Sequence, residues 1–85
     1  MVLVKIVVQA YKIFDRTTII DVANHLLKLD GVKSVDIKIN DVDAESIHLT
    51  ISIEGIDLDF EKIRNTLDSL NTVISSVDEI IATKD

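Results

Sequence analysis

Acidic side chains are the densest group of potential ligands in this 85-residue chain. Asp41, Asp43 and Glu45 occupy alternating positions in the segment Asn-Asp-Val-Asp-Ala-Glu. Carboxylate oxygens are the ligands that Ca²⁺ and Mg²⁺ prefer, so this segment is a candidate cation site. It is not an EF-hand loop, which needs Gly at its sixth position and Glu at its twelfth; counting from Asp41, these are Ser46 and Ser52. A solvated acidic turn is the competing interpretation.

A second acidic pair, Asp78 and Glu79, interrupts an otherwise apolar run near the carboxyl end of the chain. Successive side chains of a strand alternate between faces, so we expect one of the two to point toward the packed face or the rim. A buried carboxylate there needs a cation or hydrogen-bond donors. The pair is therefore a second candidate for binding Ca²⁺ or Mg²⁺ or contacting another subunit. A plain polar pair at the rim is the alternative.

The residue types give little support for a catalytic site. The chain has no Cys, which removes disulfides, thiolate metal sites and cysteine nucleophiles. His25 and His48 are far apart and have no matching Ser or Cys arrangement. Gly31 and Gly55 are the only glycines, too few for a glycine-rich phosphate loop. We predict no catalytic residue and no cofactor beyond the candidate cation.

Composition and charge narrow the class of partner. The chain is 47% apolar with 4% aromatic residues and a net charge of −6, which disfavours nucleic acid and anionic lipid. The aromatic residues Tyr11, Phe14 and Phe60 are predicted to lie outside the strand centres, unlike those of sheet-face RNA-binding domains. The apolar amino-terminal run is too short to span a membrane and lacks a basic leader, so we predict a cytoplasmic protein.

Charge is distributed unevenly along the chain. Residues 1–29 contain four cationic and two acidic side chains, namely Lys5, Lys12, Arg16 and Lys28 against Asp15 and Asp21, and so carry a net charge of +2. The remaining residues therefore carry −8. Unlike charges at the two ends favour head-to-tail contact between copies.

The elements that position these residues follow from hydrophobic periodicity. Alternation predicts four strands and helical spacing predicts two helices, beginning after the caps Thr18 and Asp59. The strands are Val2–Ala10, Val35–Ile39, Ile47–Ile53 and Val73–Ala82, and the helices run through about Leu29 and to about Asn71. This order predicts an α+β, ferredoxin-like βαββαβ domain over residues 1–85, with two helices on one face of a four-stranded antiparallel sheet. Right-handed crossovers place the first and third strands centrally.

Five segments, taken in order, resemble the DUF211 family of small, mostly archaeal proteins: Gly31–Ile37, Asp41–Asp43, Ile51–Gly55, Leu58–Ile63 and Ser76–Ile80. The resemblance implies a ferredoxin-like fold and a homo-oligomer such as a ring, with no established activity and no catalytic residue. The chain departs from the family pattern in two places. It has Lys12–Arg16 where relatives tend to have a Pro- and His-bearing turn. It has Asn71-Thr72 and Ser75 where they have Gly-Gly and then His.

A glycine between the first helix and the second strand is also typical of ACT-type regulatory domains, which share the fold and bind small effectors near it. Asp30-Gly31-Val32 occupies that place. An ACT-like domain that senses a small molecule is therefore an alternative interpretation of this chain.

The sheet face opposite the helices is predicted to be polar with an apolar strip formed by Leu3 and Val7. The polar positions are Lys5, Gln9, Asp36, Lys38, His48, Thr50, Ser52 and Glu54. We expect copies to assemble through this open face, the unpaired edges, or both. Two functions fit: a non-enzymatic homo-oligomeric module that holds a divalent cation or small effector, or an enzyme whose site combines carboxylates and His48 across a subunit interface.

Overall fold

The computed structural model describes residues 1–85. Its elements in chain order are β1 (Val2–Ile13), α1 (Ile19–Leu27), β2 (Val32–Val42), β3 (Ser46–Gly55), α2 (Phe60–Ser69) and β4 (Thr72–Thr83). The strands form one antiparallel sheet in the order β2-β3-β1-β4. This confirms the predicted ferredoxin-like α+β fold, with β1 and β3 in the centre. Neither helix has the length and apolar character needed to cross a membrane.

Both helices begin at the predicted caps. The hydroxyl of Thr18 accepts a hydrogen bond from the Ile20 amide at 3.2 Å, and Asp21 accepts one from the Thr18 amide at 2.7 Å. These reciprocal bonds form the capping box of α1. Asp59 caps α2 by accepting a hydrogen bond from the Lys62 amide at 3.2 Å. The helix bounds differ from the predicted ones by about two residues at the carboxyl ends, where helices fray.

The core lies between one face of the sheet and the two helices. It consists of 12 buried apolar residues, without a buried aromatic side chain: Ile6, Val8, Ala10, Val22, Leu26, Leu49, Ile51, Ile53, Leu58, Ile63, Leu67 and Leu70. Alternate residues of β1 and β3 supply the sheet side, which is why both strands show a period of two. The helices cover only this face, so the opposite sheet face is open.

The two connections at one end of the molecule cross in direct backbone contact. The Ile56 amide donates a hydrogen bond to the Gly31 carbonyl at 2.9 Å. A Cβ at Gly31, which has φ of 85°, would be 2.2 Å from the Ile56 carbonyl oxygen, and one at Gly55 would be 2.0 Å from the Gly31 carbonyl oxygen. The glycine before β2 is therefore required by this crossing.

Strand β1 is longer than predicted because its alternation continues past Ala10. It ends at Ile13, and Lys12 is 1% exposed on the face that carries Ile6 and Val8. The sequence reading ended the strand at the first charged inward position. A lysine is tolerated there because its ammonium group meets Asp15 at the end of the strand, at 2.8 Å.

Both edge strands contain bulges. In β2, Ile39 pairs with Leu49 and Asp41 with His48, so Asn40 is an extra residue. In β4, Glu79 pairs with Val7 while Val77 pairs with Val8, which leaves Asp78 as an extra residue. A bulge shifts the alternation of side chains by one position. Residues on either side of each bulge therefore share a face at a spacing of three.

Candidate functional site on the open sheet face

A row of polar side chains crosses all four strands on the open face, with Gln9 of β1 at its centre. The Gln9 carbonyl oxygen accepts hydrogen bonds from Asn40 of β2 at 3.2 Å and from Thr50 of β3 at 3.1 Å. Its amide donates to the Asp78 carboxylate of β4 at 2.7 Å. The Thr50 hydroxyl also accepts a bond from Asn40 at 2.6 Å. One side chain thus links both edges of the sheet, which fixes the geometry of the row.

Asp78 is held as a carboxylate by its neighbours. Hydrogen bonds from Ser76, at 2.8 Å, and from Gln9 lower the pKa of Asp78, and the electrostatic effect of His48 acts in the same direction. The Ser76 hydroxyl donates a hydrogen bond to the Asp78 carboxylate in this arrangement. The geometry therefore stabilises an anion on the open face and does not activate a serine nucleophile.

The predicted alternation of Asp78 and Glu79 between faces is wrong. Glu79 lies 3.3 Å from the Lys5 ammonium, and Lys5 is on the open face with Gln9, which binds Asp78. The bulge at Asp78 places both carboxylates on the same face. Each has a polar partner within the chain, so neither requires burial or a cation to be accommodated.

Tyr11 stacks on His48 beside this row, with ring centroids 4.7 Å apart and an interplanar angle of 14°. Tyr11 lies within β1, which continues to Ile13, but near the end of the strand and outside its centre, as predicted. The continued alternation of Val7, Gln9 and Tyr11 was the signal for this placement. Tyr11 is 46% exposed, so the ring pair is accessible from solvent.

The acidic turn lies at the β2–β3 tip, near the edge of the sheet formed by β2. Each of its two aspartates accepts a hydrogen bond from the next amide, Val42 for Asp41 at 3.0 Å and Ala44 for Asp43 at 2.7 Å. No group of three or more His, Cys, Asp or Glu side chains is close enough to hold a metal ion. The structure therefore does not bring Asp41, Asp43 and Glu45 together as ligands. Asp78 and Glu79 lie on the opposite edge strand.

Lys12 and Asp15 form a second charged group that the sequence analysis did not identify. Besides Lys12, the Asp15 carboxylate accepts hydrogen bonds from Asn71 at 3.0 Å and from the Thr17 amide at 2.8 Å. The bonds from Asn71, Lys12 and Thr17, in that order of size, hold the pKa of Asp15 well below its ordinary range. These contacts join the end of β1, the loop before α1 and the residue before β4.

The place where ACT-type domains bind effectors has an acidic cleft of about 510 Å³. Its lining consists of Asp30 and the segment 57–62 at the start of α2. Three aspartates and Glu61 oppose one lysine there, Lys62. The cleft would favour a cationic ligand over an anionic one. The backbone crossing next to Gly31 is sufficient reason for a glycine at this position, so Gly31 is not in itself a sign of effector binding.

The histidine outside the open face has a local role. His25 is exposed on α1, and its Nδ1 lies 2.8 Å from the Asp21 carbonyl oxygen. It is a surface helix residue far from His48 in the sequence and has no carboxylate ligand partner among its hydrogen bonds. The two histidines do not form one site.

Large apolar side chains remain uncovered along both edge strands. Ile39 and Val42 of β2 are 50% and 58% exposed, and Val77 and Ile80 of β4 are 48% and 50% exposed. Their cross-strand partners Leu49, Ile47, Val8 and Ile6 belong to or pack against the core. The four side chains therefore lie on the helix side of the sheet, beyond the area that the two helices cover.

The apolar residues of the open face differ in part from the predicted strip. Val7 is there, but Leu3 packs against the core, because a bulge at Val4 changes the alternation. The register adds exposed apolar side chains at positions paired with Lys5 and Tyr11, namely Ile81 and Val73. The open face is thus polar across its middle and apolar toward β4.

Comparison with known proteins identifies relatives without an assigned activity. Residues 4–85 match the model of the DUF211 family, described as "Uncharacterized ArCR". The chain is similar to the uncharacterized protein MJ0319 of Methanocaldococcus jannaschii, at 36% identity over 66 residues, which is 78% of this chain and 68% of that protein. The match to the family model covers both helices and all four strands except the first two residues of β1.

Proposed function

Because this chain belongs to the uncharacterised DUF211 family, we propose a function from its surface: a non-enzymatic module that works as a homo-oligomer. The observation that carries the proposal is the set of half-exposed Ile and Val side chains on both edge strands. Open edges with apolar side chains are surfaces that pair with another chain. The chain has no proline to block such pairing.

The proposal also accounts for the size of the core. Thirteen large hydrophobic residues are exposed, whereas the buried core contains 12 apolar residues. A small domain buries a limited fraction of its surface on folding, so covering further apolar area by self-association adds stability. A homo-oligomer provides a partner with matching chemistry.

Light scattering on the purified chain is the direct test. We expect a mass several times the 9.5 kDa of one chain at micromolar concentration. Ile80→Lys should lower the mass because it places a charge on an uncovered edge, while circular dichroism should remain unchanged since Ile80 is 50% exposed. Ile56→Lys is the matched control, because Ile56 is 63% exposed in the connection between β3 and α2 and belongs to neither edge strand. A monomeric wild-type chain would refute the proposal.

A divalent cation is the ligand that the acidic turn is best suited to hold. Asp41, Asp43 and Glu45 supply hard oxygen donors, but a single copy does not group them. A bound cation therefore needs a rearranged turn or donors from a second copy. Asp78 and Glu79, the second candidate pair, would likewise need further donors from a second copy to bind a cation.

Thermal denaturation with and without millimolar Ca²⁺ or Mg²⁺ tests this extension. A specific site should raise the melting temperature by mass action, and Asp41→Asn/Asp43→Asn should abolish the rise. Asp36→Asn, on the same strand outside the turn, is the control. An unchanged melting temperature in wild-type protein excludes the cation at these concentrations.

Two alternatives make different predictions. An ACT-like sensor would bind a small effector in the acidic cleft near Asp30 and Asp59. An intersubunit enzyme would use His48 with carboxylates of the open face, and its activity would disappear in His48→Ala with assembly intact. The homo-oligomeric module is preferred because the uncovered edges favour pairing with another copy whichever small ligand is present. The cytoplasmic location is a prediction from the amino-terminal sequence.

A further inference from the structure

We infer that β4 of one copy pairs with β2 of the next in an antiparallel, head-to-tail contact, so that the sheet continues from copy to copy. This inference rests on the proposed homo-oligomer and specifies its interface. In the inferred register Ile80 lies opposite Ile39 of the next copy, and Val77 lies opposite Val42.

The two bulges make this register possible. Ile39 and Val42 are three positions apart yet share the helix side of the sheet, because Asn40 is an extra residue between them. Val77 and Ile80 have the same spacing on the same side, because Asp78 is extra. An unbulged strand carries side chains of one face at spacings of two, so it could not match either pair. Each edge strand is thus complementary to the other.

Strand direction favours the same arrangement. The order β2-β3-β1-β4 is antiparallel throughout, so β2 and β4 run in opposite directions. A copy related by rotation about an axis that is inclined to the strands, as in a barrel, therefore presents its β2 antiparallel to β4. Repetition of one such heterologous contact covers both edges and closes into a ring when the rotation divides a full turn.

An apolar groove lies beside β2 on the helix side of the sheet, where the inferred register places the neighbour's Ala82 opposite Ile37 and its Ile80 next to that position. It has a volume of about 240 Å³ and is lined by Ile19, Ile20, Ala23, Asn24, Val35 and Ile37. Ile20 is 70% exposed at its mouth. The neighbour's β4 side would cover this groove together with the edge.

Charge disfavours the symmetric alternative. Two antiparallel β4 strands paired about their Asp78–Glu79 bulges would place carboxylate against carboxylate twice. In the inferred contact Glu79 keeps its own Lys5 at 3.3 Å, and only Asp78 faces a carboxylate, that of Asp41. The head-to-tail contact therefore has less repulsion.

Disulfide cross-linking tests the register, because the chain has no Cys of its own. In Ile39→Cys/Ile80→Cys the two thiols of one copy are three strands apart, about 14 Å, too far for an intramolecular disulfide. Directly opposed residues of adjacent strands are within bridging distance. Mild oxidation should therefore produce a ladder of covalent multimers on a non-reducing gel, whereas each single variant should stop at a dimer or below.

The control is Ile39→Cys/Val73→Cys, which places the second thiol on β4 but on the open face. It should give no ladder. Light scattering before oxidation separates the two proposals. Monomeric variants beside a monomeric wild type would refute the homo-oligomer, whereas an oligomer that forms no ladder would refute only the inferred edge pairing. Val42→Cys/Val77→Cys repeats the test if the first variant fails to fold.

A charge reversal provides an independent measurement. Asp41→Lys should replace the repulsion facing Asp78 with attraction and tighten assembly at low salt by about twofold to tenfold. In an Asp78→Asn background this gain should largely disappear, since the facing charge is absent. Equal gains in both backgrounds would overturn the inferred contact.

Discussion

Lys12 and Asp15 show how one buried cation can fix the end of a central strand. The Lys12 side chain is 2% exposed and donates to Asp15 at 2.8 Å and to the Ile13 carbonyl at 3.2 Å. Asp15 in turn accepts a hydrogen bond from Asn71, which precedes β4 and has φ of 54°. The carboxylate therefore joins three segments that are distant in the sequence.

Replacing Asp15 by Asn should destabilise the protein at pH 7. The pKa of Asp15 is lowered in the folded state by bonds from Asn71, Lys12 and Thr17. A lowered folded pKa contributes stability that is fully present above the unfolded value, about 3.9, and is lost as pH falls through the folded value. The difference in free energy of unfolding between wild type and Asp15→Asn should thus be constant near neutrality and shrink in acid.

Urea unfolding at fixed protein concentration, compared at pH 7, 5 and 3, measures this difference. Asp36→Asn is the control, an exposed aspartate of β2 for which no side-chain hydrogen bond occurs. A difference that grows toward pH 3 would contradict the assigned role of the carboxylate.

Single residues were the hardest features to predict from the sequence. Period-two patterns placed Gln9, His48 and Thr50 on the open face correctly, because each lies in an unbulged part of its strand. They failed at Asp78, since an extra residue in β4 is decided by pairing with β1 and leaves no mark in local composition. Lys12 was missed because its burial depends on Asp15 and the fold around it.

The helices and strands themselves follow closely from their sequences. Alternating Ile and Val predict the strands, while Thr18 and Asp59 predict the helix starts through their hydrogen bonds to first-turn amides. The ends were less accurate, since β1 continues through the charged inward position of Lys12 and β2 extends at both ends beyond its apolar alternation. Pairing with a neighbouring strand is a tertiary property that one segment cannot reveal.

The crossing of the two connections at Gly31 gives a prediction at the scale of the elements. Gly31→Ala should destabilise the fold by about 2 kcal/mol or more, since alanine is strained at φ of 85° and its Cβ would meet the Ile56 oxygen at 2.2 Å. Asp57→Gly is the matched substitution, because Asp57 has φ of 52° and glycine adopts that region freely. It should change stability by less than about 1 kcal/mol. Chemical denaturation checks both, and a Gly31→Ala protein as stable as wild type would contradict the crossing.

The molecule as a whole is a four-stranded sheet with one face covered by helices and two unpaired edge strands, β2 and β4. Its extents of 44 × 23 × 17 Å reflect strands of up to 12 residues that run past helices of nine and ten. The overall fold could be predicted because order and periodicity determine it. The candidate contact between copies could not, because it depends on the bulges of β2 and β4 acting together.

Pairing of the two bulged edge strands between copies would change how fast their backbone amides exchange with heavy water. In an isolated copy, the amides of β2 and β4 that point toward the adjacent strand are protected by hydrogen bonds to it. The amides that point away from the sheet have no such bond and should deuterate within seconds. Dilution should therefore switch the exchange of every second edge amide from slow to fast while the β1 and β3 amides keep their rates. Mass spectrometry of peptides covering 32–42 and 72–83 at two concentrations reads this directly. Edge amides that exchange equally fast at both concentrations would mean that β2 and β4 do not pair with strands of another copy.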